Sequence, residues 1–206
     1  AVLYVLLIIN IAVSLGVKES SVAALLGTAG VTVGLALQGG LANLAGGVLL
    51  LLFKPFVVGD YIIQDQSNGC EGTVAKIEIC YTTLLSIDNK KIVVPNGTLS
   101  NSTIINVTAK ENRKLEIKVG ISYEADIQKA KRIIEKILRE DPDTKSDTKE
   151  MVVFVDELAD SAVIMGLRVW VPTECYWPTK WRLNQKIKEE FDANGIVIPY
   201  NQMEVY

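Results

Sequence analysis

The 206-residue chain sets 21 Lys and Arg against 24 Asp and Glu, for a net charge of −3, and contains three Cys and no His. Without histidine there is no His-based triad, no His metal ligand and no ordinary proton shuttle near neutral pH. The slightly negative charge argues against a nucleic-acid partner.

Mean hydropathy is positive at +0.26, but charge is unevenly spread. Before Lys54 the ionisable side chains are Tyr4, Lys18 and Glu19, and almost all the others follow. This is the pattern of a membrane segment carrying a polar remainder. Val2 to Val17 is an apolar run of about transmembrane length, and residues 1–17 are predicted as a transmembrane helix. The run starts without a polar flank, so the expectation is a piece of a longer membrane region. The rival reading, a signal peptide, lacks a basic leading segment and a convincing cleavage pattern. Lys18 to Ser20 is a short connector that suits a hairpin.

From Ser21 to Phe53 the chain carries no charge, and nearly half of its residues are Gly, Ala, Ser or Thr. A straight helix of this length would extend about 50 Å, against a hydrocarbon core of about 30 Å. Residues 21–54 are therefore predicted as a kinked pore-lining helix. The break is placed at Gln38-Gly39-Gly40, where an amide meets two helix-weakening residues.

At about 100° per residue, Gly27, Gly30 and Gly34 share one face, and Ala29, Thr32 and Ala36 lie roughly opposite. In lipid, helices associate through close contact of such small residues. Two unlike small-residue faces suit a heterologous contact that closes into a ring. One remaining arc holds Val22, Leu26, Val33 and Leu37 and is assigned to lipid or an outer helix. The other holds Val31, Leu35 and Gln38 and would line the axis, an apolar constriction above a ring of amides that closes by dewetting. Glycine-spaced apolar helices also serve as simple packing segments, and that reading stays open on spacing alone.

Pro55 ends the helix, and the pattern changes period. Tyr61–Gln64, Thr73–Ile79, Tyr81–Ile87, Lys91–Val94 and Thr103–Val107 read as strands of a small β domain spanning 55–109. Turn signals lie at Asn68-Gly69, Asp88-Asn89 and Asn96-Gly97. Residues 110–200 read as a ferredoxin-like α+β domain: a strand from Lys114, helix Ala125–Glu140, strands Glu150–Leu158 and Ala162–Val171, helix Pro178–Asn194 and strand Ile196–Pro199. Asp141 to Lys149 is a charged, solvated loop, and residues 201–206 begin a C-terminal strand.

Catalytic and metal constellations are not found. Cys70, Cys80 and Cys175 lack zinc spacing and are expected as buried neutral thiols in a reducing compartment. Asp156, Glu157 and Asp160 read as strand-end solvation, and Trp177 and Trp181 as core packing. The glycines of the long helix fit neither a dinucleotide fingerprint nor a P-loop. Neither an enzyme activity nor a cofactor or metal is expected.

The string Gly34-Leu-Ala-Leu-Gln-Gly-Gly-Leu-Ala-Asn-Leu-Ala-Gly-Gly-Val-Leu-Leu, followed by Phe53-Lys-Pro-Phe and Gly59-Asp-Tyr, resembles the pore helix and exit of the small-conductance mechanosensitive channel (MscS) family. Val93-Val-Pro-Asn-Gly97, Ile104-Ile-Asn106, Phe191-Asp-Ala-Asn-Gly195 and Pro199-Tyr-Asn-Gln-Met203 extend the likeness from Ser20 to the C-terminus. The resemblance implies a homoheptamer in the inner (plasma) membrane, multi-pass, with cytoplasmic C-terminal domains and a β domain of Sm-like type. It implies opening by bilayer tension, so that ions and small solutes leave during hypo-osmotic shock. Val31 and Leu35 match the seal positions, Gly39 and Gly47 the flexible points, and Gln38 and Asn43 also fall on the pattern. The sequence departs from the family in Val31, where leucine is usual, in Gly40 and Gly46, which add a glycine beside each hinge, and in a longer loop from Gln64 to Gly72. The competing function is a non-conducting, membrane-anchored oligomer whose soluble domains bind a ligand or partner. A third, axis-facing arc favours the pore.

Overall fold

The computed structural model describes residues 2–65, 69–144 and 151–201. It divides into two compact units, 1–109 and 110–206.

In the first unit, α1 (Val2–Ser14) is followed by a turn through Gly16, whose φ of +93° is accessible to glycine without strain. The 13 residues of α1 extend about 20 Å, less than the predicted span. Helix α2 then runs from Glu19 to Phe53 as one 35-residue element. The helical backbone continues through Gln38-Gly39-Gly40, without the interruption into two separate helices that the sequence suggests. Each glycine costs a helix interior only about 1 kcal/mol, and a long cooperative helix absorbs that. The length mismatch also has another resolution, because the last turns of α2 are packed against the β domain. The helix ends at Lys54, in left-handed conformation (φ 45°), whose N–H donates to the Leu50 carbonyl at 3.0 Å.

The strands β1 (Tyr61–Gln64), β2 (Glu71–Ile77), β3 (Tyr81–Leu85), β4 (Lys91–Pro95) and β5 (Ile104–Asn106) form one antiparallel sheet in the order β4-β3-β2-β1-β5. Alternation of apolar and polar residues sets which face is buried. Ile62, Val74, Leu84 and Val94 point inward to meet Phe56, Leu99 and Leu50 of α2. A short helix, α3 (Asn96–Ser100), follows β4 directly where a turn was predicted. Asn68 and the middle of the predicted long loop lie outside the described residues, as does 202–206 of the predicted C-terminal strand.

In the second unit, β6 (Asn112–Ile121), α4 (Ile127–Glu140), β7 (Val152–Leu158), β8 (Val163–Pro172) and α5 (Tyr176–Ala193) build a three-stranded antiparallel sheet, β6-β8-β7, under two helices. Ala130, Ile134, Ile137 and Leu138 recur at helical spacing on α4. They pack with Leu183, Ile187 and Phe191 of α5 over Met165, Leu167 and Val169 of β8. Asp126 caps α4, accepting from the backbone N–H groups of Gln128 and Lys129 at 2.9 and 3.0 Å. Residues 196–199 do not join the sheet as a strand. Val197 accepts one hydrogen bond from Ser122 N (2.9 Å), and Ile196 is buried in the core.

Three side-chain expectations are corrected. Cys70, Cys80 and Cys175 are half-buried free thiols rather than buried ones. Trp177 and Trp181 are 51% and 64% exposed, since the inward face of α5 is filled by Leu183, Ile187 and Phe191. The start of the charged loop is structural: Asp141, 4% exposed, receives a bidentate pair from Arg182 at 2.7 and 2.8 Å, and Arg182 also reaches Asp143 at 2.7 Å. Burial alone would raise the Asp141 pKa, but the Arg182 hydrogen bonds and charge outweigh it and hold the carboxyl below its usual range.

Candidate functional site: the long helix and its clamp

Helix α2 is two objects in one. From Ala23 to Ala42 it is exposed along every face, an apolar rod without a packed surface. Val31 and Leu35, the expected seal, are 64% and 67% exposed. Gln38 stands one turn further along, also exposed. At Gly27, Gly30, Gly34, Gly39 and Gly40 an added methyl would meet nothing within 4 Å. Ala29, Thr32 and Ala36 are exposed as well. The hydroxyl of Thr32 donates back to the Thr28 carbonyl at 2.9 Å and that of Thr28 to the Ala24 carbonyl at 2.9 Å. These polar groups are satisfied within the helix, so the faces that carry them can enter an apolar contact without stranding a donor.

From Asn43 onward the same helix is locked. Asn43, Gly46, Gly47 and Leu50 fall at i, i+3, i+4 and i+7, one face of a helix, and this face meets α3 and the bend between β2 and β3. Asn43 Oδ1 accepts from the Gly97 N–H at 3.0 Å. A methyl on Gly46 would stand 2.6 Å from the Asn96 carbonyl oxygen, and one on Gly47 only 2.0 Å from the Ile79 carbonyl oxygen. Gly97 is less tight, its methyl position lying 2.9 Å from Asn43 Oδ1, a side-chain atom. At Gly46 and Gly47 the obstacle is backbone, and only glycine permits the approach.

Asn96 is the keystone of the other side. Fully buried, it donates through Nδ2 to the Glu78 carbonyl at 2.7 Å and accepts through Oδ1 from Thr82 Oγ1 at 2.7 Å, and its own N–H reaches the Cys80 carbonyl at 2.9 Å. Both polar atoms of this side chain are thereby paired, so the cradle is rigid. The family resemblance implies hinges at Gly39 and Gly47, with Gly40 and Gly46 beside them. In the structure Gly46 and Gly47 are close-packing residues, and the free glycines are Gly39 and Gly40. The signal that would have found the clamp is the shared face of Asn43, Gly46, Gly47 and Leu50.

After α2, Asp60 ties the segment that follows the helix to the end of β5 and to Thr108. Its Oδ2 accepts from Val57 N and Asn106 Nδ2, both at 2.8 Å, and its Oδ1 from Thr108 Oγ1 at 3.2 Å. Asn106 Nδ2 also reaches the Pro55 carbonyl at 3.3 Å. Burial would raise the Asp60 pKa, but the three donors together lower it below the ordinary aspartate value. Among the described residues no group of three or more His, Cys, Asp or Glu could hold a metal.

By length and composition α2 can cross a membrane. Residues 40–109, which include the clamp, match the family described as "Mechanosensitive ion channel, beta-domain", and residues 115–198 match "Mechanosensitive ion channel MscS, C-terminal". The chain is 40% identical over 178 residues to a small-conductance mechanosensitive channel of Edwardsiella ictaluri, covering 86% of this chain and 61% of that protein. It is 37% identical over 191 residues to an uncharacterised MscS family protein of Buchnera aphidicola, covering 93% and 66%. The chain thus spans just under two thirds of the length of these relatives. The crystal structure of Helicobacter pylori MscS in its closed state superposes with a TM-score of 0.86 at 31% identity, covering 96% of this chain and 77% of that one.

Proposed function

We propose that this chain, which belongs to the MscS family of mechanosensitive channels, lines a membrane pore opened by bilayer tension. The observation that carries this reading is the division of α2. Residues 43–53 are held by the β domain, leaving residues 19–42, about 36 Å of helix, to cross about 30 Å of hydrocarbon. That free length suffices without a kink.

Seven copies arranged as a ring would place the glycine face of one rod against the Ala29, Thr32 and Ala36 face of the next, where small side chains allow close dispersion contact. Val31 and Leu35 would then face the axis as two apolar rings above the amides of Gln38. A gap so lined excludes water, and an ion cannot shed its hydration to cross it. Tension favours whichever state occupies more membrane area, and moving from about 1:99 to 99:1 takes roughly 5.5 kcal/mol of differential work. Because Asn43, Gly46 and Gly47 are clamped, bending during that change falls at Gly39 and Gly40.

The β domain would act as an Sm-like collar, and the second unit, a ferredoxin-like fold, as part of a cytoplasmic vestibule through which ions and small solutes pass. The protein would be a multi-pass resident of the inner (plasma) membrane with these domains on the cytoplasmic side, embedded in lipid and without a nucleic-acid partner or cofactor. The test is patch recording of the full-length protein in liposomes under graded suction. Stepwise currents that rise with suction are expected, and suction-independent silence with correctly inserted protein contradicts the reading.

A further inference from the structure

Helix α5 opens with an aromatic step that the core does not use. Trp177 and Trp181, four residues apart and so on one side of the helix, are 51% and 64% exposed, with ring centres 6.1 Å apart. Cations frame them. Lys180 Nζ lies 5.3 Å from the centre of the Trp177 ring, and the Arg113 guanidinium stands 3.9 Å from that of Tyr176, which meets Trp177 edge-on. Adjacent exposed tryptophans beside arginine and lysine have the composition of the centre of a protein–protein contact.

The opposite flank of the same unit carries a complement. Helix α5 covers β6 and β8, whereas α4 covers β8 and β7, so the aromatic patch belongs to the β6 side and β7 borders the sheet on the other. On that border strand and its turn, Val155 and Leu158 are 41% and 68% exposed, and Glu157 and Asp160 are exposed beside them. A border strand with apolar side chains and open backbone groups is a docking template. One flank is aromatic and cationic, the other aliphatic and acidic.

We propose that Trp177 and Trp181 of one copy pack on the β7 border of the next copy around Leu158, with Lys180 facing Glu157. The two patches are different surfaces on opposite flanks of one unit, so the contact is head-to-tail and propagates around a ring instead of stopping at a dimer. Complementary charge fixes the register of the docking. The proposal rests on the ring reading above and adds the surface that joins the second units.

The test uses full-length protein in membranes, with Cys70, Cys80 and Cys175 replaced by Ser and with Trp177→Cys and Leu158→Cys introduced together. Mild oxidation is expected to give a ladder of covalent multiples extending beyond the dimer, at least tenfold more product than either single variant. A ring-sized native mass without the ladder overturns this contact and leaves the ring reading standing. A one-subunit mass overturns both, and dimers from a single variant show a symmetric contact and overturn the head-to-tail assignment. As a second arm, Lys180→Glu is expected to weaken assembly of the otherwise unchanged protein, and adding Glu157→Lys to restore it; failure of that restoration counts against the pairing.

Discussion

The two ends of α2 use the same residue for opposite purposes. In the free rod, glycines at 27, 30, 34, 39 and 40 face open space, and an added methyl there would meet nothing within 4 Å. In the clamped end, Gly46 and Gly47 lie against the backbone of Asn96 and Ile79, where a methyl would stand 2.6 and 2.0 Å away. A glycine in a helix is thus defined by what lies across from it. The rod is available to a partner because the clamp already satisfies the other end.

The sharpest way to break this contrast is to add one methyl at each end. Gly47→Ala should lower the stability of the first unit by about 3 kcal/mol, the upper range for overpacking a close contact, because the obstacle is backbone and not a movable side chain. Denaturant unfolding of the detergent-solubilised protein reads this directly. A change under about 0.5 kcal/mol, the size of an ordinary surface substitution, would mean that the clamp is loose.

At the free end a far larger side chain should leave the monomer intact. Gly30→Leu is expected to preserve the circular dichroism and unfolding of the chain while lowering the yield of the oligomer, as bulk separates neighbouring rods. If native mass and gating both match the parent, the ring packing is wrong.

Gly39→Ala with Gly40→Ala should act with the opposite sign to Gly47→Ala. Neither added methyl meets an obstacle, and each glycine removed favours helix by about 1 kcal/mol. Stiffening the point proposed to bend should slow closing or inactivation without abolishing conduction, measured as the decay of current under sustained suction. Unaltered kinetics would move the bend elsewhere in the rod.

The smallest effect is that of pH. Ser20 to Phe53 contains no ionisable side chain, whereas the segment after α2 is held by Asp60. Its folded pKa is lowered, so its contribution to stability is complete above the unfolded value, about 3.9, and is lost as pH falls through the lower folded value. Asp60→Asn should flatten the acid limb of the stability profile below about pH 4 and leave the profile at neutral pH unchanged in shape.

Much of the contrast was legible in sequence, but only one half of it. The uncharged run and the period-two strands follow from composition and spacing, and the structure contains the long apolar helix and the antiparallel strands. The clamp was hidden because Asn96-Gly97 carries the composition of a turn, while the structure continues it into α3. The shared face of Asn43, Gly46, Gly47 and Leu50 marks one side of the contact, but its partners, Ile79 and Asn96, are distant in sequence, so the pattern does not say what that face meets. With all of Ser21 to Phe53 in the bilayer the helix is too long for the hydrocarbon, whereas the structure packs its last turns against the β domain. Trp177 and Trp181 differ from the expectation for a related reason: helical spacing says which residues share a face, but not whether that face is turned to the core.

Whether the free rod lines the pore and Leu35 helps seal it is decided by patch recording of Leu35→Ser in the full-length protein under graded suction. A hydroxyl at that ring lowers the barrier to wetting while leaving the clamp untouched. Opening at clearly lower tension than the parent and slow growth of cells that express the variant are expected. A threshold equal to that of the parent, at matched membrane expression, would contradict a seal at Leu35.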